Sequence, residues 1–210
     1  MSQGIGRGSV VVAQGKEALR LPRRFPGGEP TSSLLGYVLD SVWTVTDEIY
    51  VVFRGEPDLT LVEEIAPFGA KIISIASTAT LVEQVTAGLG ACRSELCLVL
   101  AGNAPFVKPN LAYALFEAAR EYDAAVPRWA DGRLEPFLST YRRKSWLRAV
   151  GLATPGSMDG VLDSLYGIRF VAIEEELRQL DPELHSFFRV ESLSDLQRAE
   201  DVAAQSAPRG

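Results

Sequence analysis

The sequence predicts an α/β protein with a three-layer α/β/α architecture around a doubly wound, mainly parallel mixed sheet. Apolar, β-branched runs at Ser9–Ala13, Glu48–Arg54, Ala70–Ala76 and Leu96–Ala101 alternate with segments of helical periodicity. That alternation is the signature of βαβ units and a parallel sheet covered on both faces. The run Leu96-Cys-Leu-Val-Leu-Ala101 is uninterrupted by any polar residue, as expected of a strand buried on both sides, and it stops abruptly at Gly102-Asn103-Ala104-Pro105. Ligands of open α/β sheets bind beyond the carboxyl ends of such strands, which makes Asn103 a candidate site residue.

The helices follow from spacing. Leu34, Leu35, Val38, Leu39 and Val42 share one face of a helix, as do Leu61, Val62 and Ile65, and Leu81, Val82, Val85 and Leu89. The clearest stripe runs from Leu111 through Ala114, Leu115, Ala118 and Ala119 to Tyr122, with Asn110 as its expected N-cap. Farther on, Asp131-Gly-Arg133 reads as a hairpin turn whose second arm is Leu134–Tyr141, an antiparallel excursion from the parallel pattern. Helices are expected at Lys144–Val150 and Met158–Tyr166, then a strand at Arg169–Ile173 and a short acidic helix from Glu174. Phe187–Val190 reads as a last strand and Ser194 as the cap of a final helix. One domain over residues 1–204 is expected, with 205–210 a disordered tail.

Composition narrows the function. With 21 Lys and Arg against 27 Asp and Glu, the chain carries a formal charge of -6, which argues against a nucleic-acid partner. No apolar run approaches the roughly 20 residues of a bilayer span, and Met1–Gly8 lacks the apolar core of a secretory signal. No membrane partner and a cytoplasmic location are the expectations. Cys92 and Cys97, the two cysteines, match no metal spacing and read as small buried hydrophobes. His185, the sole histidine, reads as a structural residue, and Trp43, Trp129 and Trp146 as packing or rim residues.

Four segments in order resemble the MobA-like nucleotidyltransferases, the molybdenum cofactor guanylyltransferase family. Val10-Val-Val-Ala-Gln-Gly-Lys16 is similar to the family's strand followed by A-G-G-K, with Arg20-Leu-Pro22 resembling R-M-G after a one-residue insertion. Glu83-Gln-Val-Thr-Ala-Gly-Leu89 resembles S-I-R-A-G-L. Leu98-Val-Leu-Ala-Gly-Asn-Ala-Pro-Phe106 resembles L-V-L-x-x-D-M-P-F, joined to Asp131-Gly-Arg-Leu-Glu-Pro136 and Tyr141-Arg142, which resemble G-R-x-Q-P-L and Y-R. Phe188-Arg-Val-Glu-Ser192 with Asp195-Leu196 resembles F-x-N-V-N-T-P-E-D-L.

The resemblance implies a Rossmann-like nucleotidyltransferase fold and transfer of a nucleotidyl group, GMP from GTP, to a phosphorylated acceptor such as molybdopterin, with release of pyrophosphate. It implies nucleotide contacts from Ala13, Gln14, Gly15, Lys16 and Asn103, catalytic cations in Arg20 and Arg24, and Mg²⁺ held at Asn103 and Glu191. Backbone N–H groups, cations and a metal converging on phosphates are what such a transfer requires. The chain departs from the pattern where Gln14 replaces the first loop glycine, Pro22 the glycine after Met, and Asn103 the metal-binding aspartate. Arg189 and Glu191 stand for the two asparagines of N-x-N, and Arg23 and Arg24 stand where a lysine follows. These departures leave a second reading open, a catalytically reduced homologue acting as a binding or regulatory subunit with a protein partner.

Overall fold

The computed structural model describes residues 5–22 and 31–205. Its main sheet has seven strands: β1 (Arg7–Val12), β4 (Glu48–Arg54), β5 (Lys71–Ile75), β6 (Leu96–Ala101), β7 (Ala124–Arg128), β8 (Leu138–Arg142) and β9 (Ile168–Ala172). They lie in the order β5-β4-β1-β6-β8-β7-β9. Only β8 runs against the others, pairing antiparallel with β6 and β7. A separate two-stranded hairpin joins β2 (Arg20–Pro22) to β3 (Thr31–Ser33).

The helices are α1 (Leu34–Val42), α2 (Leu59–Ile65), α3 (Leu81–Ala91), α4 (Pro109–Ala118), α5 (Arg143–Val150), α6 (Met158–Asp163) and α7 (Leu193–Gln205). α1 packs against α2 and α4 on one side of the sheet, and α3 against α5, itself against α6, on the other. The three-layer expectation holds. The side chains of Val10, Val11, Val12, Leu98, Val99 and Leu100 are fully buried, because β1 and β6 carry helices on both faces. Gly88 lets α3 lie this close: a Cβ there would fall 2.2 Å from Val10 Cγ1.

Several local expectations are corrected. α4 is capped by Lys108 with Pro109 in its first turn, not by Asn110, since proline's fixed φ and missing N–H suit a helix start. The helix ends at Ala118, so Tyr122 leaves the apolar stripe and lies largely exposed. After the Asp131–Arg133 turn and a single bridge from Leu134 to Arg128, the chain turns again around Pro136, and β8 starts only at Leu138. α6 stops at Asp163, short of Tyr166.

The acidic segment from Glu174 forms turns and a 3-10 helix at Leu177–Gln179 instead of an α-helix. Phe187–Val190 is not a sheet strand. His185–Phe187 is a 3-10 turn, and the extended residues after it pair with a loop rather than a strand edge. Ser192, not Ser194, caps α7: its hydroxyl accepts from Asp195 N at 3.2 Å while the Asp195 carboxylate accepts from Ser192 N at 3.0 Å, a reciprocal box. α7 reaches Gln205, and the rest of the expected tail lies outside the described residues.

Candidate active site

β1 is flanked by two parallel strands reached by opposite windings. The chain leaves β1 toward β4 and β5, then returns through α3 to β6 on β1's other side. The winding therefore reverses between β1 and β6, and ligands of open α/β sheets bind beyond the carboxyl ends of the strands at such a point. Gly102 N donates to Val12 O at 2.9 Å and closes the two strand ends together. This brings the loop Ala13–Lys16 and Asn103, 90 residues apart in sequence, to one edge.

The loop after β1 is held from behind. Ala13 N donates to Val52 O at 3.0 Å, and the buried Gln84 amide donates to both Ala13 O (2.9 Å) and Val52 O (3.0 Å). Gly15 has φ of +95°, a left-handed conformation that costs a Cβ-bearing residue dearly. The backbone N–H groups of Gln14 and Gly15 turn inward onto a single carboxylate, that of Glu17. Gly15 N lies 2.7 Å and 3.0 Å from its two oxygens, and Gln14 N donates to Oε1. Successive N–H groups converging on an anion constitute an anion-binding nest. Beside it lies a cavity of about 480 Å³ lined by Ala13, Gln14, Gly15, Arg54, Asp58 and Ser77 among others.

Asn103 is 1% exposed. Its Nδ2 donates to Val190 O at 3.0 Å and to Glu191 Oε1 at 3.2 Å, while its own carbonyl accepts from Val190 N at 3.0 Å. The segment 188–191 thus returns beside the Asn103 loop, and an amide and a carboxylate stand side by side. Asn103 Oδ1 is buried without a partner among the described residues. Such an orphan acceptor costs free energy unless a ligand or ion completes it. An amide oxygen and a carboxylate are hard donors of the kind Mg²⁺ takes in ones and twos, completing its shell with phosphate oxygens and water.

Other expected residues are placed differently. Arg20, on β2, donates to Glu64 at 3.0 Å instead of meeting Asn103. Burial raises the Glu64 carboxyl, but the Ser33 N–H and hydroxyl, the Ser32 hydroxyl and Arg20 outweigh it and hold it below the usual carboxylate range. The hairpin nonetheless borders the site, since Leu21 packs with Leu34, Val190 and Ala199. Lys16 is exposed at the loop's rim. Arg23 and Arg24 lie outside the described residues. Arg189 donates to Glu135 at 2.6 Å, and Glu135 also accepts from Trp129 Nε1 at 2.8 Å. His185 stacks near Phe106, with centroids 6.1 Å apart, in a packing role as expected. Cys92 and Cys97 are both buried.

Two residues escaped the sequence reading. Gln84 looked like one polar position in a helical stripe, although its place in a segment matching the family offered a hint. Glu17 lies in the insertion between Lys16 and Arg20, and nothing in the one-dimensional pattern shows that its carboxylate folds back onto the loop.

The chain is similar in sequence and in fold to known proteins. A family model described as MobA-like NTP transferase domain matches residues 21–165, beginning just after the β1 loop. The chain is 31% identical over 176 residues to "Probable molybdenum cofactor guanylyltransferase" of Methanosarcina acetivorans, covering 79% of this chain and 76% of the relative. Molybdopterin-guanine dinucleotide biosynthesis protein A from Archaeoglobus fulgidus superposes with a TM-score of 0.70 at 24% identity, over 94% of this chain and 99% of that one. The 2-C-methyl-D-erythritol 4-phosphate cytidylyltransferase from Thermus thermophilus shares the fold at TM-score 0.63 and 22% identity, over 93% and 98% of the two chains. Among the described residues, no helix is long and apolar enough to cross a membrane.

Proposed function

The chain belongs to the MobA-like NTP transferase family, and on that premise we propose that it transfers GMP from GTP to the phosphate of molybdopterin in the cytoplasm, releasing pyrophosphate. The observation that carries this reading is that an anion nest at the end of β1 and the hydrogen-bonded pair of buried Asn103 and exposed Glu191 at the end of β6 lie at neighbouring strand ends, where the winding reverses.

In this reading the Gln14 and Gly15 N–H groups take the triphosphate, with Lys16 at the rim adding a cation. Gln84 holds the loop at Ala13 so that these N–H groups stay aimed at the phosphates. The family pattern gives the role of catalytic cations to Arg20, which would leave Glu64 to meet the phosphates, and to Arg24. Asn103 and Glu191 are the residues that would hold Mg²⁺, the chain's amide-and-acid answer to the aspartate it lacks. Bound there, Mg²⁺ supplies charge neutralisation at the phosphates.

An oxygen of the acceptor phosphate attacks the α-phosphorus of GTP. The bond from the α-phosphorus to the bridging oxygen breaks, and pyrophosphate leaves with the electron pair. The loop N–H groups stabilise charge as it builds on the phosphate oxygens, because they are fixed before the reaction and need no reorganisation.

Calorimetric titration of GTP, CTP and ATP with and without Mg²⁺ tests the nucleotide, and pyrophosphate release in the presence of molybdopterin tests the transfer. Mg²⁺-dependent GTP binding with pyrophosphate release is the expected outcome. Failure of every nucleotide to bind at millimolar concentration would favour the reduced, non-catalytic homologue with a protein partner, a reading to which the Asn103 substitution lends itself.

A further inference from the structure

We infer that Glu17 is an affinity-setting residue of the nucleotide site: its carboxylate occupies the phosphate nest in the free protein and must be displaced by the triphosphate. The inference rests on the proposed nucleotide role of the β1 loop.

Glu17 is 4% exposed, a rare degree of burial for a carboxylate without a cation. Among the described residues its oxygens are served only by the N–H groups of Gln14 and Gly15. A buried carboxylate needs such compensation, and charge-assisted N–H bonds are the strong kind. In the proposed function the triphosphate takes these same N–H groups, so a phosphate and the Glu17 carboxylate require the same donors. Two anions on one nest would also repel each other at contact distance. Binding and displacement are therefore a single exchange.

The rest of the side chain is packed, not dangling. A Cβ built on Gly102 would fall 2.8 Å from Glu17 Cγ, 3.5 Å from its Oε1 and 3.3 Å from Val12 O. Gly102 thus leaves room for the Glu17 stem between the ends of β1 and β6. The cavity beside the nest counts Glu17 in its lining, which supplies space for the carboxylate to swing into once a phosphate replaces it. The nest is kept ordered without ligand, and the ordering has a cost in affinity. A site that is competent in one molecule of ten binds about tenfold more weakly than the open site would.

The test is calorimetric titration of inorganic pyrophosphate, and of GTP with Mg²⁺, into the wild-type chain, Glu17→Gln and Glu17→Ala. Both variants are expected to bind pyrophosphate about tenfold or more tightly than wild type, with Glu17→Ala the tighter because the glutamine oxygen still competes for one N–H. Equal or weaker pyrophosphate binding by folded variants would overturn the inference. Tighter pyrophosphate binding with no GTP binding by any of the three proteins would support the displacement and count against the proposed function alone. Should the variants fail to fold, the wild-type chain still decides the matter by NMR. Saturating pyrophosphate is expected to shift the Glu17 side-chain carboxyl carbon together with the Gln14 and Gly15 amides, and a carboxyl signal that stays fixed while those amides move would overturn it.

Discussion

Replacing Asn103 by aspartate offers a direct measure of the amide-and-acid pair at the end of β6. The amide donates twice, to Val190 O at 3.0 Å and to Glu191 Oε1 at 3.2 Å, and is 1% exposed. An aspartate loses both donors and leaves the Val190 carbonyl without its side-chain partner, at about 1 kcal/mol for each bond. It also sets two carboxylates about 3 Å apart, a repulsion of about 1 kcal/mol in water and about 5 kcal/mol at an effective dielectric near 20. Glu191 is exposed and can turn away, so the lower figure governs. The sum is about 3 kcal/mol, which for a chain of this size lowers Tm by about 6–12 °C.

Mg²⁺ reverses the sign, because the pair that repels without it becomes a two-carboxylate site. At a free concentration about a hundred times its dissociation constant it returns about 2.7 kcal/mol. Differential scanning fluorimetry of Asn103→Asp and wild type, each with EDTA and with about 10 mM Mg²⁺, reads this out. The expected pattern is a large loss in EDTA and a larger Mg²⁺ rescue in the variant than in wild type. A variant that melts within about 1 °C of wild type in both conditions would refute the reasoning, because neither the two donated bonds nor the proximity of Glu191 would then carry energy.

Glu191→Gln should abolish most of the Mg²⁺ dependence of GTP binding in calorimetry while leaving Tm nearly unchanged, since the side chain is exposed. Gly88→Ala should cost about 2–3 kcal/mol in urea denaturation, because its methyl would overlap Val10 Cγ1 in a core with no slack. Arg189→Ala should cost about 1–3 kcal/mol by leaving the largely buried Glu135 with Trp129 as its close partner, and the double variant with Glu135→Gln should recover part of the loss in a double-mutant cycle. Acid should unfold the protein through its held-down carboxylates. At Asp123 burial raises the carboxyl, but the Ser145 hydroxyl, Tyr166 N–H and Arg148 guanidinium prevail and lower it. A lowered folded pKa stabilises above the unfolded value near about 4 and is lost as pH falls through the folded one, so the urea midpoint should decline below about pH 4 and less steeply in Asp123→Asn.

The sequence alone determined the sheet's parallel half, because burial on both faces writes itself as continuous apolar runs: Glu48–Arg54 and Leu96–Ala101 were legible to the residue. It also placed Asn103 and the Ala13–Lys16 loop at strand ends, since a strand's end is marked locally where apolar residues give way to turn residues. Segments whose form is decided by long-range contacts were not legible. Phe187–Val190 has strand composition but meets a loop, and Glu174–Gln179 has helical composition but winds into turns whose N–H groups bond Ala172 O and Ile173 O. Tertiary structure alone decided that Glu191 lies 3.2 Å from Asn103 and that Arg20 is engaged by Glu64. It alone decided that Glu17 fills the nest its neighbours form. Periodicity reports which face a residue shows to the core. The direction of a single polar side chain is set by the donors folding brings within 3 Å, and those donors come from elements distant in sequence or from a backbone turn no pattern records.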